Sequence, residues 1–450
     1  AEGWWKPYNP ASPHMMFSFT KALTSTAVGF AVQEGKLALT DRLCDLFPDK
    51  MPENPSENLL LCTVRDLLTM TCGHATEINT FDVAQPDWIR NFLAHEFQYK
   101  PGTCFMYNTA GTNMLCAALK RRTGEDLFAY LTPRLFEPLG IQDVECFRLP
   151  DGVEMGGAGS RLRTEDMARF ILFAAQRGRL AGRQLLDPAW FELATSKAVE
   201  TLSPVNDPDT PDWRCGYGFQ FWRCVPEHVV RADGAFGQYG VIFEEKDTIL
   251  ILQSASPRQQ DQLTCVWETI LPAITDEASL PESPMAHVLR HRIERAELQP
   301  MLSMRNRAAE AQIGGKRFVP EDGMPGLADL IGGIWIVAPQ GGKTQALCLD
   351  FADDKAVLTA EQDNGTFSVD IGLESHFAMS TLCGRTYGAV GRWRTDTCFE
   401  AELRCAESVG GKRMLFRFDG GSLTLHSAST LPISGGIADK APQAYALSEE

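Results

Sequence analysis

The sequence predicts an α+β fold of more than one domain, with a mainly helical block flanked by strands followed by a small all-β domain. Three observations carry this. The chain has 450 residues, while single cores stop growing at roughly 250–300 residues. Up to about residue 280 the apolar positions recur at helical spacing, with β-like runs entering only after Pro204. From about Gly323 onward only short alternating runs occur, separated by Gly and Asp turns.

The elements follow in order. From Ser18 to about Glu34 apolar residues repeat at helical spacing (Leu23, Ala27, Phe30, Ala31), and Gly35 stops the run. A loop-rich passage with Pro48 comes next. Thr63 then caps "VRDLLTMTCG", with an acidic residue in the first turn and Gly73 as terminator. Further helices fit Gly111 to Arg122, Glu125 to Leu135, and Thr164 to near Gly178. "GYGFQFW" is β-like, and "AFGQYGVIFEEKDTILILQS" reads as a hairpin turning at Glu245-Lys246-Asp247, before a helix near Asp261–Ile274. The charged run 286–312 is helix-prone. "IGGIWIVAP", "ALCLDF", "AVLTAE", "FSVDIG", "GAVGRWR", "CFEAELRC", "RMLFRF" and "SLTLHS" then describe a small antiparallel barrel or sandwich. The expected division is 1–285 as the first domain, 286–322 as a helical connector, 323–430 as the β domain and 431–450 as a loose tail.

Composition excludes several functions. Apolar content of 44% and charged content of 22% are those of a soluble globular protein. A net charge of −16 disfavours nucleic acid or an anionic membrane as partner, because phosphate would repel the surface. No stretch approaches the ~20 apolar residues of a membrane span, and no signal peptide is visible. The 13 cysteines are odd in number and irregularly spaced, without CxxC or zinc spacing. They read as free thiols in a reducing, cytoplasmic setting. Neither a metal nor a cofactor is expected, and the oligomeric state is not legible. The chain begins Ala1-Glu2-Gly3-Trp4-Trp5, as though from inside a longer protein, so a preceding targeting segment is compatible with it.

The chemistry centres on "FSFTK". Ser18 and Lys21 are separated by three positions at the start of a helix, which puts both on one face within reach of each other. Lysine acts as a base only when neutral, which needs burial or nearby positive charge, and Met15, Met16, Phe17 and Phe19 supply apolar neighbours. A helix N-terminus also presents N–H groups where an oxyanion would form. Alone, S-x-x-K turns up about once by chance in a chain this long and describes an ordinary helix start.

The surroundings extend the pattern. S-x-x-K is the nucleophile motif of serine β-lactamases and penicillin-binding proteins. "FSFTKALTSTAVGFAVQEGKLALTDRLCDLFPD", "VRDLLTMTCGH", "FMYNTAGTNMLCAALKRRTGEDLFAYLTPRLFEPLGI", "RLRTEDMARFILFAAQRGRL" and "DWRCGYGFQFW…RADGAFGQYGVIFEEKDTILIL" follow in order. Over roughly residues 3 to 275 the chain resembles the serine hydrolase family of class C β-lactamases, D,D-peptidases and related esterases. The resemblance implies a β-lactamase/transpeptidase-like fold, an antiparallel sheet flanked by helices plus a helical subdomain, with the active site between them. It matches Ser18 to the nucleophile, Lys21 to the general base and Tyr107 to the tyrosine that relays a proton to or from the leaving group. It also implies that "AEGWWKPY" is the end of a strand pair preceding the nucleophile helix, so that the N-terminal strands are truncated.

Two departures stand out. The family's Asn two residues after the Tyr is Thr109 here, whose hydroxyl can bond Lys21 or substrate, or Asn108 can substitute. The family's K-T-G or H-x-G aligns with Ala232-Asp233-Gly234, without the basic residue that helps bind a substrate carboxylate. Gly234 still permits close backbone approach, and the N–H of Ala235 can pair with that of Ser18 as an oxyanion hole. Arg231 and His228 are read as surface residues on an edge strand, the alternative being that one of them restores the charge. His14, His74 and His95 read as loop or packing histidines. Gly156, Gly157 and Gly159 make a tight loop beside the site. The expected activity is that of a serine hydrolase making an acyl-enzyme from a small ester or peptide-like amide. The alternatives are D,D-peptidase or β-lactamase activity, or a non-catalytic binding protein that retains the fold.

Overall fold

The computed structural model describes residues 1–79, 87–277, 280–298, 301–332, 341–431 and 443–450. It divides into two compact units, Met15–Ala278 and a second made of Ala1–His14 with Ser279–Glu450.

The unit Met15–Ala278 is α+β. A 3-10 turn, Phe17–Phe19, runs into helix α1 (Thr20–Gln33), whose residues Thr20 through Ala31 are all buried. A helix without a solvated stripe must be central, and α1 packs against helix α3. Helix α2 (Val64–Leu68) opens on the capping threonine: Thr63 Oγ1 accepts from the Asp66 N–H while the Asp66 carboxylate accepts from the Thr63 N–H. α3 (Thr109–Thr123) begins two residues earlier than its apolar pattern suggests, because Asn108 caps it by accepting from the Gly111 N–H at 3.3 Å. α4 (Thr164–Ala175) lies over the sheet strands that follow. The helix expected over 125–135 begins at Leu127, and a π turn extends it over Thr132–Phe136.

The largest sheet of this unit among the described residues has four antiparallel strands in sequence order: β1 (Trp222–Arg223), β2 (Val229–Gly234), β3 (Gln238–Phe243) and β4 (Thr248–Leu252). The expected hairpin is β3 and β4, closing at Phe243 opposite Thr248. β1 covers only Val230 and Arg231 of β2, which leaves the Ala232–Gly234 end open on that side.

The second unit contains a closed barrel whose strands pair antiparallel except Gly365–Gly372 with Arg385–Thr395, which meet in parallel at Gly372 and Val390. Each quoted run from "ALCLDF" to "SLTLHS" lies within a strand, between Lys343 and Ser429. "IGGIWIVAP" falls mostly outside the described residues. The strand Arg317–Pro320 closes the barrel by pairing with both Lys343–Phe351 and Gln443–Glu449. Two boundaries therefore move. Residues 431–450 are not simply a tail, since Gln443–Glu449 pairs with Ser422–Ser429 as a barrel strand. In the N-terminal segment "AEGWWKPY" no strand is formed, only the isolated bridge of Lys6 to Glu297. Lys6 donates to the Ala296 carbonyl at 3.1 Å and accepts from the Leu298 N–H at 2.8 Å, which ties it to the barrel unit. All 13 cysteines are unpaired. Among the described residues no helix is long and apolar enough to cross a membrane.

Candidate active site

Lys21 is the hub of the site. Its Nζ lies 3.0 Å from Ser18 Oγ, 3.3 Å from Thr109 Oγ1 and 2.6 Å from the Gly157 carbonyl oxygen. Three separate segments thus converge on one nitrogen: the turn before α1, the first residue of α3, and the glycine loop. Lys21 is 1% exposed. Burial lowers its pKa from the ordinary 10.5 to about 7, against the opposing pull of Glu77 and Asp233, whose carboxylates favour the ammonium. A neutral amine has two N–H groups and one lone pair. The Gly157 carbonyl and the Thr109 hydroxyl can take the two N–H groups, which leaves the lone pair for the Ser18 hydroxyl.

The loop that brings Gly157 to Lys21 needs glycine there. A Cβ on Gly157 would sit 2.6 Å from Thr109 Cγ2 and 2.8 Å from the Thr109 carbonyl. The Asn113 side chain fixes the loop from behind by accepting from the Gly157 N–H at 2.9 Å.

Ser18 stands on a strained turn. Phe17 has φ +48° and Phe236, just past Ala235, has φ +65°, a region costly for aromatic residues. Their rings meet edge to face with centroids 5.4 Å apart. Between them Gly234 lies so close to the nucleophile turn that an added Cβ would be 2.2 Å from the Met16 carbonyl oxygen. The N–H of Ser18 falls in the first turn of a helix, where N–H groups lack intrahelical partners. That of Ala235 follows directly on the end of β2.

Tyr107 hydrogen-bonds Ser18 through its hydroxyl, its ring lies 4.9 Å from Lys21 Nζ, and it stacks on Trp222 at 5.5 Å. Burial holds its pKa above the ordinary phenol value, with Asp233 and Glu77 pushing the same way. It is therefore a phenol at neutral pH, a proton donor and not a standing base.

Asn108 does not join this group. It is fully buried, and its amide turns to His74 Nδ1 at 3.2 Å. The reading that Asn108 can replace the family's asparagine is corrected: it is occupied as the cap of α3, and Thr109 is the residue that reaches Lys21. His74 is a packing histidine. It lies against Phe92 and Phe97, and burial lowers its pKa to about 3, with His95 adding to the effect. Arg231 is not a surface residue. It is 0% exposed, and its Nε donates to Asp233 Oδ2 at 2.8 Å. His228 is exposed and lies beside Glu245.

Three contributors were missed in the sequence. The Gly157 carbonyl is a backbone atom and leaves no residue signature. Glu77, whose Oε1 accepts from the Thr109 N–H at 3.0 Å, sits in an unpatterned loop. The Arg231–Asp233 pair had a signal in its spacing, since residues i and i+2 of a strand share a face.

A serine and a lysine at the start of a buried helix, facing an antiparallel sheet across a tyrosine, define the class of the serine-reactive penicillin-binding fold. The family model for Beta-lactamase matches residues 1–264, and the chain belongs to that family. Membership supports a serine-hydrolase type of activity in general. The chain is 28% identical over 141 residues to protein flp of Staphylococcus aureus strain MW2, a stretch covering 30% of this chain and 28% of that protein. The match thus spans less than a third of that relative's length. The octameric penicillin-binding protein homologue from Pyrococcus abyssi is 16% identical, with 98% of this chain and 89% of that chain covered at a TM-score of 0.49. A mutant simvastatin synthase from Aspergillus terreus is 19% identical, with 59% and 82% covered at 0.45.

Proposed function

We propose that this chain hydrolyses a small ester or peptide-like amide through an acyl-enzyme on Ser18. The observation that carries the reading is the convergence on Lys21 Nζ, a buried amine with pKa about 7 lying 3.0 Å from Ser18 Oγ. Lys21 takes the hydroxyl proton as Oγ attacks the carbonyl carbon. The carbonyl π pair moves to oxygen, and the N–H groups of Ser18 and Ala235 hold that oxyanion. On collapse the bond to the leaving oxygen or nitrogen breaks, and Tyr107 donates its proton to that atom. The Lys21 ammonium then returns a proton to Tyr107. Water attacks the acyl-enzyme with its proton passing to Lys21, Oγ departs and is reprotonated, and the acid is released.

Ala232 and Asp233 shift the substrate away from β-lactams and D,D-peptides, since both end in a carboxylate and the one cation of this strand, Arg231, is buried and paired with Asp233. Incubation with a fluorophosphonate, followed by intact and peptide mass spectrometry, tests the nucleophile. The expected result is a single adduct on Ser18 that is absent in S18A. An unlabelled wild-type protein overturns the reading. Turnover of p-nitrophenyl acetate but not of a chromogenic cephalosporin is expected; the reverse pattern overturns the substrate assignment.

A further inference from the structure

We propose that Asp233 selects substrates whose leaving group carries a protonated amine. This rests on the acyl-enzyme reading and names the substrate class for that same site.

The argument starts with β2. Arg231 and Asp233 alternate to one face of the strand and Ala232 to the other. Arg231 is held behind Asp233 and is 0% exposed, with its Nη2 buried and without a hydrogen-bond partner among the described residues. Its Nε donates to Asp233 Oδ2, and its Nη1 lies within bonding distance of the Asp212 carbonyl (3.0 Å), the Arg223 carbonyl (3.2 Å) and Cys224 Sγ (3.4 Å). Its guanidinium lies over the Trp213 and Trp222 rings, 4.6 and 5.6 Å from their centroids. This geometry holds the carboxylate in place and leaves no guanidinium face for a substrate anion. Asp233 itself is 8% exposed, and Oδ1 has no hydrogen-bond partner among the described residues. A nearly buried carboxylate with a vacant acceptor costs free energy unless a donor fills it.

Asp233 belongs to the cluster around Tyr107: it binds Arg231, Arg231 lies over the Trp222 ring, and Tyr107 stacks on that same ring. Of the charged groups acting on Tyr107, which donates to the leaving atom, Asp233 acts most strongly, ahead of Glu77 and Arg231. Glu77 and Asp233 are also the two carboxylates whose charge reaches Lys21. When Lys21 is neutral, the charged groups acting on Tyr107 are two carboxylates and a single guanidinium that is already paired. A leaving group ending in carboxylate meets repulsion there, and a neutral one strands Asp233 Oδ1 once water is expelled. An ammonium N–H supplies the missing donor in a charge-assisted bond.

Three thioacetates of similar size test this: S-acetyl-2-(dimethylamino)ethanethiol (protonated at pH 7), S-(3-methylbutyl) thioacetate and S-acetyl-3-mercaptopropanoate. The expected order of kcat/KM is cation, neutral, anion, with the cation favoured over the anion by about tenfold to a hundredfold. D233N is expected to bring that ratio near unity, and E77Q to reduce it by a smaller factor. The ratio does not depend on how much of a variant is active, and fluorophosphonate labelling of Ser18 in the same samples reports that fraction. Should D233N not fold, competition on wild-type enzyme serves instead: N,N-dimethylethylammonium is expected to inhibit and propanoate not to. Equal rates for the three thioesters, a preference for the anion, or full discrimination retained in D233N overturns the assignment. Ser18 labelled without turnover of the cationic thioester also overturns the Asp233 assignment alone. An unlabelled Ser18 overturns the acyl-enzyme reading and this one with it.

Discussion

If the Lys21 amine takes the Ser18 proton, the rate of Ser18 acylation must follow the fraction of that amine that is neutral. With its pKa at about 7, the neutral fraction is about 1% at pH 5, about 9% at pH 6 and about 91% at pH 8. Acylation is therefore expected to rise ~90-fold from pH 5 to pH 8 and then level off. A lysine at its ordinary 10.5 would be only about 0.3% neutral at pH 8 and would keep gaining ~10-fold per unit through pH 10. The two cases differ in shape as well as size. The perturbation is Glu77→Gln, which retains an acceptor for the Thr109 N–H but removes a charge that favours the ammonium. Losing that charge lowers the Lys21 pKa, so the midpoint moves to lower pH. The variant then labels faster than wild type at pH 6 and equally at pH 8. Pseudo-first-order fluorophosphonate labelling, sampled by intact mass between pH 5 and 9, reads both curves. A wild-type midpoint above pH 9, or a midpoint that Glu77→Gln leaves in place or raises, would refute the reasoning.

Other variants probe the scaffold. Gly234→Ala would bring a Cβ within 2.2 Å of the Met16 carbonyl, where both sides are backbone; the melting temperature is expected to fall, and Ser18 labelling to slow by at least about tenfold as Ala235 shifts from Ser18. Asn108→Ala removes the cap on Gly111 and the bond to His74, so thermal melts should report a loss of about 1–2 kcal/mol. His74 has its folded pKa depressed from 6.5 to about 3, so the unfolded chain binds more protons between those values and stability falls as pH drops through that window. His74→Phe, between Phe92 and Phe97, is expected to flatten the melting temperature against pH between 6.5 and 4; an unchanged slope would count against it.

How much of this was legible depends on where the controlling chemistry lay. α1, α2 and α4 could be read because their signals are local: Gly35 after the last turn, the Thr63–Asp66 box, and Thr164 opening an apolar run. The Ser18–Lys21 pairing was legible for the same reason, as i,i+3 spacing is a property of one helix turn. Asn108 was misread because its spacing from Tyr107 drew it toward Lys21, whereas asparagine ahead of a helical run is first a cap. Arg231 was misplaced because an arginine on a strand reads as solvated. Only the enclosing Trp213, Trp222 and Asp212, distant in the pattern, make it interior. The barrel runs alternate strongly and were visible. Gln443–Glu449 was not, because "QAYALSE" buries only Leu447 and takes its place by pairing with Arg317–Pro320 and Ser422–Ser429.

The two departures from the family pattern differ in physical kind. At Thr109 the requirement is an oxygen near Lys21 Nζ, and a threonine hydroxyl at 3.3 Å meets it from the first residue of a capped helix. Proton transfer needs that acceptor, not an amide. At Ala232-Asp233 the requirement is the sign of a charge, which no neighbouring residue restores. Arg231 is one position away and is turned into the protein, where Asp233, two backbone carbonyls and Cys224 surround it. Ala232 is fully buried, so a lysine there would need space and a counter-charge that the packing does not provide. The strand is built around the pair Arg231–Asp233 as a unit, and its end left unpaired by Trp222–Arg223 is acidic. On the proposed acyl-enzyme reading, a substitution that keeps hydrogen-bond chemistry would leave the reaction available, while one that changes charge would redirect what it acts on.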